Sequence, residues 1–525
     1  MRRICLSFAI LLAFSLVLVG CGSKSKSKSS VTSSSSSSSG SSTVAGAELA
    51  PAGALAFVSI STDSSGDQWQ KAQGLLARMP VVEKSVTTAL AKSGVTLADV
   101  AQALGTVTDI VEFGNAKKPG LVVLTEPKDA AKLKALLVKA PGKTKPVTAE
   151  IGSWLAVADS QAMLDQFQAA AGKAKLADLS GFKTAMAALP ADALVRAYVP
   201  GASVTGALTS LASSMSKPAK SKTSSGLSLS ISPKTLINTV KKNQLKWAGV
   251  AASVAPGGIS VEGVFKGKKT PTAAASSLLD ELPSGAAFVV DLNGKSLGLD
   301  KSVTNLVNNP KYASSVTQIQ TLLGIKLKDV AAIARSEMAI YGTSSGVGVL
   351  IKTPDPAKAS VIVNKAVTLL SSFGKVKKVS VSGVSATELS LGNTAPIHLY
   401  LGVKGRDLFV TTDVTTLPGG SKLSSDPVYS AATKALPVPS ANDGVLFIDF
   451  KQLDALNKSG NSVVKSLAKS LSSSLPKSGT SKATAAIKPA DIKAGLQSIS
   501  SLLGYVTTSG GKVELKALLT LKGSK

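Results

Sequence analysis

Cysteine, histidine, arginine and aromatic residues are all scarce in this chain of 525 residues. Its two cysteines, Cys5 and Cys21, fall within the first 21 positions. For everything beyond them, structural disulfides, thiolate zinc sites, iron–sulfur clusters and cysteine nucleophiles are excluded. His398 is the only histidine, which excludes multi-histidine metal sites. No cofactor is expected. Aromatics make up 4% of the chain, and 53 of the 59 basic residues are lysine. Specific nucleic-acid readers rely on arginine forks and aromatic stacking, so nucleic acid is not an expected partner. The net charge of +28 falls to +26 once Arg2 and Arg3 are removed. Its lysines are dispersed, which reads as a solvated surface or an attraction to anionic lipid and wall polymers.

What is present begins with an address. Met1-Arg2-Arg3 supplies positive charge, Ile4 to Val19 is apolar, and Gly20 precedes Cys21. A basic head, a short apolar middle and small residues before a cut describe a secretory signal peptide. The apolar run is shorter than the roughly 20 residues that span a bilayer. The Leu18-Val19-Gly20-Cys21 ending resembles the bacterial lipoprotein signal, which implies cleavage between Gly20 and Cys21 and acylation of the Cys21 thiol. At about 0.8 kcal/mol per buried CH₂, two or more acyl chains hold a protein on a membrane. Residues 22–43 are almost entirely Ser, Lys, Gly and Thr and read as a disordered tether, spanning about 25 Å as a flexible coil. The expected location is the extracytoplasmic face of the cell membrane, with the lipid on Cys21 as the membrane contact.

The body reads as a duplication. PAGALAFV at 51–58 is echoed by PSGAAFV at 283–289, and GVTLADV at 94–100 by GIKLKDV at 324–330. Asp109 to Gly114 corresponds to Glu337 to Gly342, and Trp154 to Asp159 to Leu408 to Asp413. Both halves carry a Leu-Pro pair, at 189–190 and 436–437. Pro256-Gly257-Gly258 and Ser509-Gly510-Gly511 each separate two alternating runs, the mark of a β-hairpin. The period is too long for a solenoid and fits two tandem copies of one domain. Strand-like runs such as Ala54 to Ile60 mix with helical ones such as Gln70 to Met79, Val81 to Lys92 and Asp129 to Lys139. The expected class is α+β, each copy an antiparallel or mixed sheet packed by helices. The expected organisation is a signal peptide at 1–20, the lipidated Cys and Ser/Lys-rich tether at 21–47, a first repeat at 48–270 and a second at 278–525. Two Ser/Lys-rich insertions, Leu211 to Thr235 and Ser459 to Pro489, fall at matching places and read as loops or as flaps over a cleft.

The two PAGALAFV-like openings and the Gly-x-x-Leu-x-Asp-Val segments resemble an uncharacterised bacterial family, domain of unknown function 3352. The resemblance covers most of residues 48–525 and implies an exported or membrane-attached protein with no assigned activity and no catalytic residues to transfer.

Motifs with chemistry in them are incomplete. Gly342-Thr-Ser344-Ser-Gly346 fits the G-x-S-x-G elbow, but that motif needs a helix after it and here strands flank both sides. His398, the one possible imidazole base, sits in an alternating strand. Gly294-Lys295-Ser296 resembles the end of a P-loop, yet the position five before Gly294 is Val289. Asp159 and Asp413 both end a strand before a helix-like run and read as N-caps. Asp109 and Glu337 share the start of a strand, and their convergence across a two-fold-like interface would make a carboxylate site. No enzyme is expected. The favoured reading is a non-catalytic envelope binding or interaction module whose protein partner is unknown. A carrier for lipid or another apolar ligand is the alternative, and an acid-dependent hydrolase the remote one. A carrier calls for a deep apolar cavity, an interaction module for a packed core and an exposed patch.

Overall fold

In the computed structural model the described residues are 44–523, apart from 79–93, 116–117, 140–144, 205–244, 268–272, 298–303, 305–306, 311–312, 325, 382, 392–396, 419 and 459–497. The leader, Gly20, Cys21, the tether up to residue 43, both Ser/Lys-rich insertions and the helical reading of Val81 to Lys92 therefore lie outside the described residues.

The first half contributes β1 (Ala56–Ser61), β2 (Val107–Asn115), β3 (Lys118–Thr125), β4 (Val147–Ile151), β5 (Trp154–Ala158), β6 (Val195–Pro200), β7 (Trp247–Ala255) and β8 (Gly258–Lys266). They lie in the order β4-β5-β3-β2-β1-β6-β7-β8, each neighbour antiparallel. A short strand, β9 (Ala274–Ala275), leads into the second half. That half begins with β10 (Ala286–Asn293), β11 (Glu337–Thr343), β12 (Val347–Lys352), β13 (Gly374–Val381) and β14 (Val384–Leu391). It continues with β15 (Ile397–Lys404), β16 (Asp407–Thr411), β17 (Ala441–Asn442), β18 (Gly444–Asp449), β19 (Ile499–Ser509) and β20 (Lys512–Leu521). From β20 the order runs β19, β18, β10, β11, β12, β16, β15, β14, β13, again antiparallel throughout.

The halves do not keep separate sheets. β8 pairs with β20 from Gly258↔Thr520 to Lys266↔Lys512, so both halves share one 18-stranded sheet. β9 and β17 form a small second sheet. The hairpins read from the glycines are present. β7 and β8 turn at Gly257 (φ +77°), and β19 and β20 turn at Gly510 and Gly511 (φ +56° and +75°). At Gly510-Gly511 both central positions take a positive φ, the twist that a two-residue hairpin needs, whereas at Pro256-Gly257 the proline ring fixes a negative φ and Gly257 alone supplies the positive one.

Eleven helices are among the described residues: α1 (Asp67–Leu76), α2 (Leu97–Ala103), α3 (Ala130–Lys139), α4 (Gln161–Ala171), α5 (Ser180–Ala187), α6 (Gly294–Leu297), α7 (Ala313–Leu323), α8 (Leu327–Ala334), α9 (Pro356–Leu370), α10 (Pro427–Ala435) and α11 (Phe450–Lys458). Local chemistry sets several starts. Thr96 and Asp99 form a reciprocal capping box at α2, and Asp355 caps α9 with Pro356 in the first turn.

Period-2 alternation sends neighbouring strand residues to opposite faces, and both faces are covered by helices. On one face Phe167 of α4 and Phe182 and Met186 of α5 pack on Phe57, Val111 and Leu124. On that same side of the second half, Tyr429 of α10 meets Phe447 edge-on, with ring centroids 5.1 Å apart. On the opposite face Trp69 and Leu75 of α1 and Leu133 of α3 pack on Leu155, Leu194 and Val254. There α9 packs through Ala359 and Val363 on Leu389 and Leu401. The chain is thus an α+β protein in three layers.

One sequence match needs correction. Phe57 and Phe288 align in sequence, yet Phe57 packs with Phe182 while Phe288 faces Leu456 of α11 on the other side. A register shift between Ala286 and Phe288 turns the strand over, and Val289 enters the core cluster of its half.

Candidate functional site

Asp109 sits in a row across three strands, since Ser59 of β1 lies opposite both Asp109 of β2 and Arg196 of β6. It is fully buried, and neither carboxylate oxygen has a well-formed hydrogen bond. Burial pushes its carboxyl up to about 7, against the opposing pulls of the Ser59 hydroxyl, the Arg196 charge and the Gly46 backbone N–H. Gly46 is required there, because a Cβ would overlap the Asp109 carboxylate.

Glu337 has the same relation to the start of the second half but better partners. Its Oε1 accepts from the Ser276 hydroxyl (2.7 Å) and from the N–H groups of Ser277 (2.8 Å) and Leu278 (2.9 Å). Its Oε2 takes the Ser277 N–H (3.0 Å) and hydroxyl (3.2 Å). These donors open the 3₁₀ turn Leu278–Glu281, so Glu337 fastens that turn to the sheet. Beside it Asp291, absent from the sequence-based candidates, shares Ser276, whose hydroxyl lies 3.0 Å from Oδ2. Burial first, and then the Glu337 charge, push the Asp291 carboxyl up to about 7. The signal was readable: Asp291 is the one acid in the apolar strand AAFVVDLN.

The remaining candidates do not converge with these. Asp109 on β2 and Glu337 on β11 are nine strand spacings apart, about 43 Å at 4.8 Å each, so they form no joint carboxylate site. Asp413 is an N-cap as expected, accepting from the Thr415 N–H at 2.7 Å. Asp159 is not, since Ser160 holds the cap position of α4 and makes no side-chain cap bond. Ser344 lies in the turn between β11 and β12. The His398 partners are instead Glu388 and Ser390, at 2.8 and 3.1 Å. Both approach Nδ1, whereas a serine triad places acid and serine on opposite ring nitrogens. Among the described residues no group of three or more His, Cys, Asp or Glu is arranged to hold a metal ion, and no helix is long and apolar enough to cross a membrane.

The junction of the halves carries the most distinctive surface. On one face β8 and β20 present Glu262, Lys266, Lys512, Glu514 and Lys516, with Lys516 and Glu262 paired at 3.1 Å. The other face is apolar. Val250, Gly263, Leu515 and Val506 form one cross-strand row, and Ala252, Val261, Ala517, Gly504 and Leu446 the next. Val250 and Leu446 are 37% and 36% exposed, with Val261, Leu515 and Val506 half-buried between them. The band runs from α1, packed on β7, to α11, packed on β18 and β19. Beside α1 lies an apolar hollow of about 50 Å³, lined by Ala72, Leu75, Leu194, Ala252, Val254 and Ile259. Ligand pockets for small molecules run to about 300–1,000 Å³.

The model of a family described as "Protein of unknown function (DUF3352)" matches residues 125–486, more than half of the chain, and the chain belongs to that family. No curated protein and no solved structure matches it.

Proposed function

We propose that this chain is a lipid-anchored extracytoplasmic protein that acts by binding a partner protein and not by catalysis. The observation that carries this reading is the aliphatic band across β7, β8, β20, β19 and β18. Water-facing antiparallel sheets alternate polar and apolar faces, and an aliphatic face that keeps exposed Val250 and Leu446 marks an interaction surface. Five strands and two cross-strand rows make it roughly 24 by 14 Å, or about 340 Å². That is flat and below the roughly 800 Å² per partner of stable complexes, which selects a transient contact with the aliphatic surface of another protein. The hollow beside α1 is itself too small for an acyl chain.

We also infer that the halves are tandem copies of one domain. The pairing order β2-β1-β6-β7-β8 has its counterpart in β11-β10-β18-β19-β20. Isolated bridges Pro51↔Lys175 and Pro283↔Lys422 occupy matching places, and β13 with β14 is an added hairpin of the second copy. The membrane attachment rests on the sequence Leu18-Val19-Gly20-Cys21, and lysines add attraction to anionic lipid or wall polymer.

Three measurements test the reading. Cys21→Ser should release the protein from membranes, and a variant that stays bound refutes the anchor. A photo-crosslinker at Leu446 should give a discrete protein adduct that Leu515→Lys abolishes and that a crosslinker at exposed Val138 on α3 does not form. Native mass spectrometry showing a co-purified lipid, or an adduct indifferent to Leu515→Lys, would overturn it in favour of a carrier or of no docking face.

A further inference from the structure

The Ser276 hydroxyl stands between two carboxyl groups, 3.0 Å from Asp291 Oδ2 and 2.7 Å from Glu337 Oε1, yet it has one hydrogen to donate. If both acids were ionised, one of these contacts would oppose two lone pairs in a buried site. Against this the surroundings set only the Leu292 backbone N–H, which favours the ionised Asp291. Glu337 faces Asp291 from β11, Ser276 from the strip between the halves, and Tyr429 from α10, with Asp280 of the 3₁₀ turn beside Tyr429. None is a cation. Asp291 Oδ1 is buried without a hydrogen-bond partner. One arrangement satisfies the short contacts: protonated Asp291 donates to Ser276 Oγ, Ser276 donates to Glu337, and the ionised Glu337 accepts the Ser277 and Leu278 N–H groups.

We propose that Asp291 holds a proton which clasps the strip joining the two halves, and that the strip is released when this proton passes to solvent. The strip is otherwise held lightly. Ala273 donates to the Thr508 carbonyl, Ser276 to that of Ser440, and β9 meets β17 over two residues. Loss of the proton places two carboxylates against one hydroxyl, and their repulsion acts on the residues that Glu337 anchors. The clasp is independent of where the protein resides and of what it binds.

The sign follows from linkage. The Asp291 carboxyl is pushed up to about 7, so the closed strip binds a proton that the open strip gives up, and rising pH favours opening. Between pH 6 and pH 8.5 the closing equilibrium falls about tenfold, taking about 4 for the released group.

Hydrogen exchange on the full chain, corrected for the intrinsic pH dependence of exchange, reads this directly. Protection of the Ser277 and Leu278 amides should drop about tenfold from pH 6 to pH 8.5, while amides of β20 keep theirs. Asp291→Asn, whose amide donates permanently to Ser276, should hold the strip closed at both values. Ser276→Ala should lower protection already at pH 6 while keeping the fall with pH, because burial and the Glu337 charge still push the Asp291 carboxyl up. Flat protection in the unaltered chain, an unchanged slope in Asp291→Asn, or an equal loss of protection across β20 would each overturn the proposal.

Discussion

Asp109→Asn isolates the energetic consequence of a buried acid in the first half. With its carboxyl pushed up to about 7 by burial, Asp109 stays protonated in the folded chain where an unfolded chain has already ionised. The unfolded state gives up this proton near pH 4, so folding takes up a proton between about pH 4 and pH 7. Stability from this group is therefore highest below pH 4, falls by about 1.4 kcal/mol per pH unit, and levels above pH 7. Between pH 5 and pH 8 the loss is about 2–3 kcal/mol. Asparagine has nearly the same shape and no charge to bury, so the variant should lose this slope. Part of its gain at pH 8 is offset by Arg196, which is left without its acid in a half-buried position. Urea unfolding at the two pH values, followed by tryptophan emission, measures the difference. The three tryptophans, Trp69, Trp154 and Trp247, all lie in the first half and report on the unit that contains Asp109. A variant whose stability relative to the parent is the same at pH 5 and pH 8 would refute the reasoning.

Gly46→Ala pushes a methyl group into the space of the Asp109 carboxylate and should destabilise by about 1–3 kcal/mol, with Asp109→Ser recovering much of it. Equal costs in both backgrounds, from a double-mutant cycle of unfolding free energies, would disprove that contact. Thr96→Ala removes half of the capping box at α2 and should cost about 1 kcal/mol in urea unfolding, with Thr96→Ser nearly neutral. Separately produced chains 44–270 and 271–523 each expose an edge, β8 or β20, and should combine into a 1:1 complex on size-exclusion chromatography with light scattering. Two monomers that stay apart on mixing would contradict a joined sheet.

The fold was legible wherever alternation and turn residues agreed. The β7–β8 and β19–β20 hairpins follow from apolar alternation around Pro256-Gly257 and Gly510-Gly511, where glycine supplies the required φ. The helix at Asp129–Lys139 was visible from Leu133, Leu136 and Leu137 and begins within one residue of that reading. The register of β10 was missed because PSGAAFV is one residue shorter than PAGALAFV, and with the shift between Ala286 and Phe288 that difference puts Phe288 on the opposite face from Phe57. For the same reason Phe288 could be aligned with Phe57 and still point the other way. Of the acids, Asp413 was readable as a cap because a cap is local, within two residues of its partner. Asp159 has the same sequence setting, but Ser160 follows it and takes the cap position. Asp291 stood out as the one acid of an apolar strand, but its meeting with Ser276 was beyond such reasoning, since it depends on how the strip at 273–277 folds back over β10.

The union of the halves has a physical logic that neither half contains. Each would end on an edge strand, β8 or β20, with unpaired backbone groups, and natural sheets avoid leaving such edges open. Charged residues protect edges, yet Lys512, Glu514 and Lys516 of β20 all project to one face and leave the opposite face to Val513, Leu515, Ala517 and Leu519. Pairing β8 with β20 satisfies the backbone and sets Glu262 against Lys516, a half-exposed pair that fixes register more than it adds stability. The same pairing doubles the aliphatic face, because Val261 and Val250 from one half now continue Leu515 and Val506 from the other. Half of the band alone would be about 170 Å², within the range of unremarkable surface patches. Joined, it becomes a surface that only the two-part chain possesses, which ties the proposed docking face to the joining of the halves and not to either core.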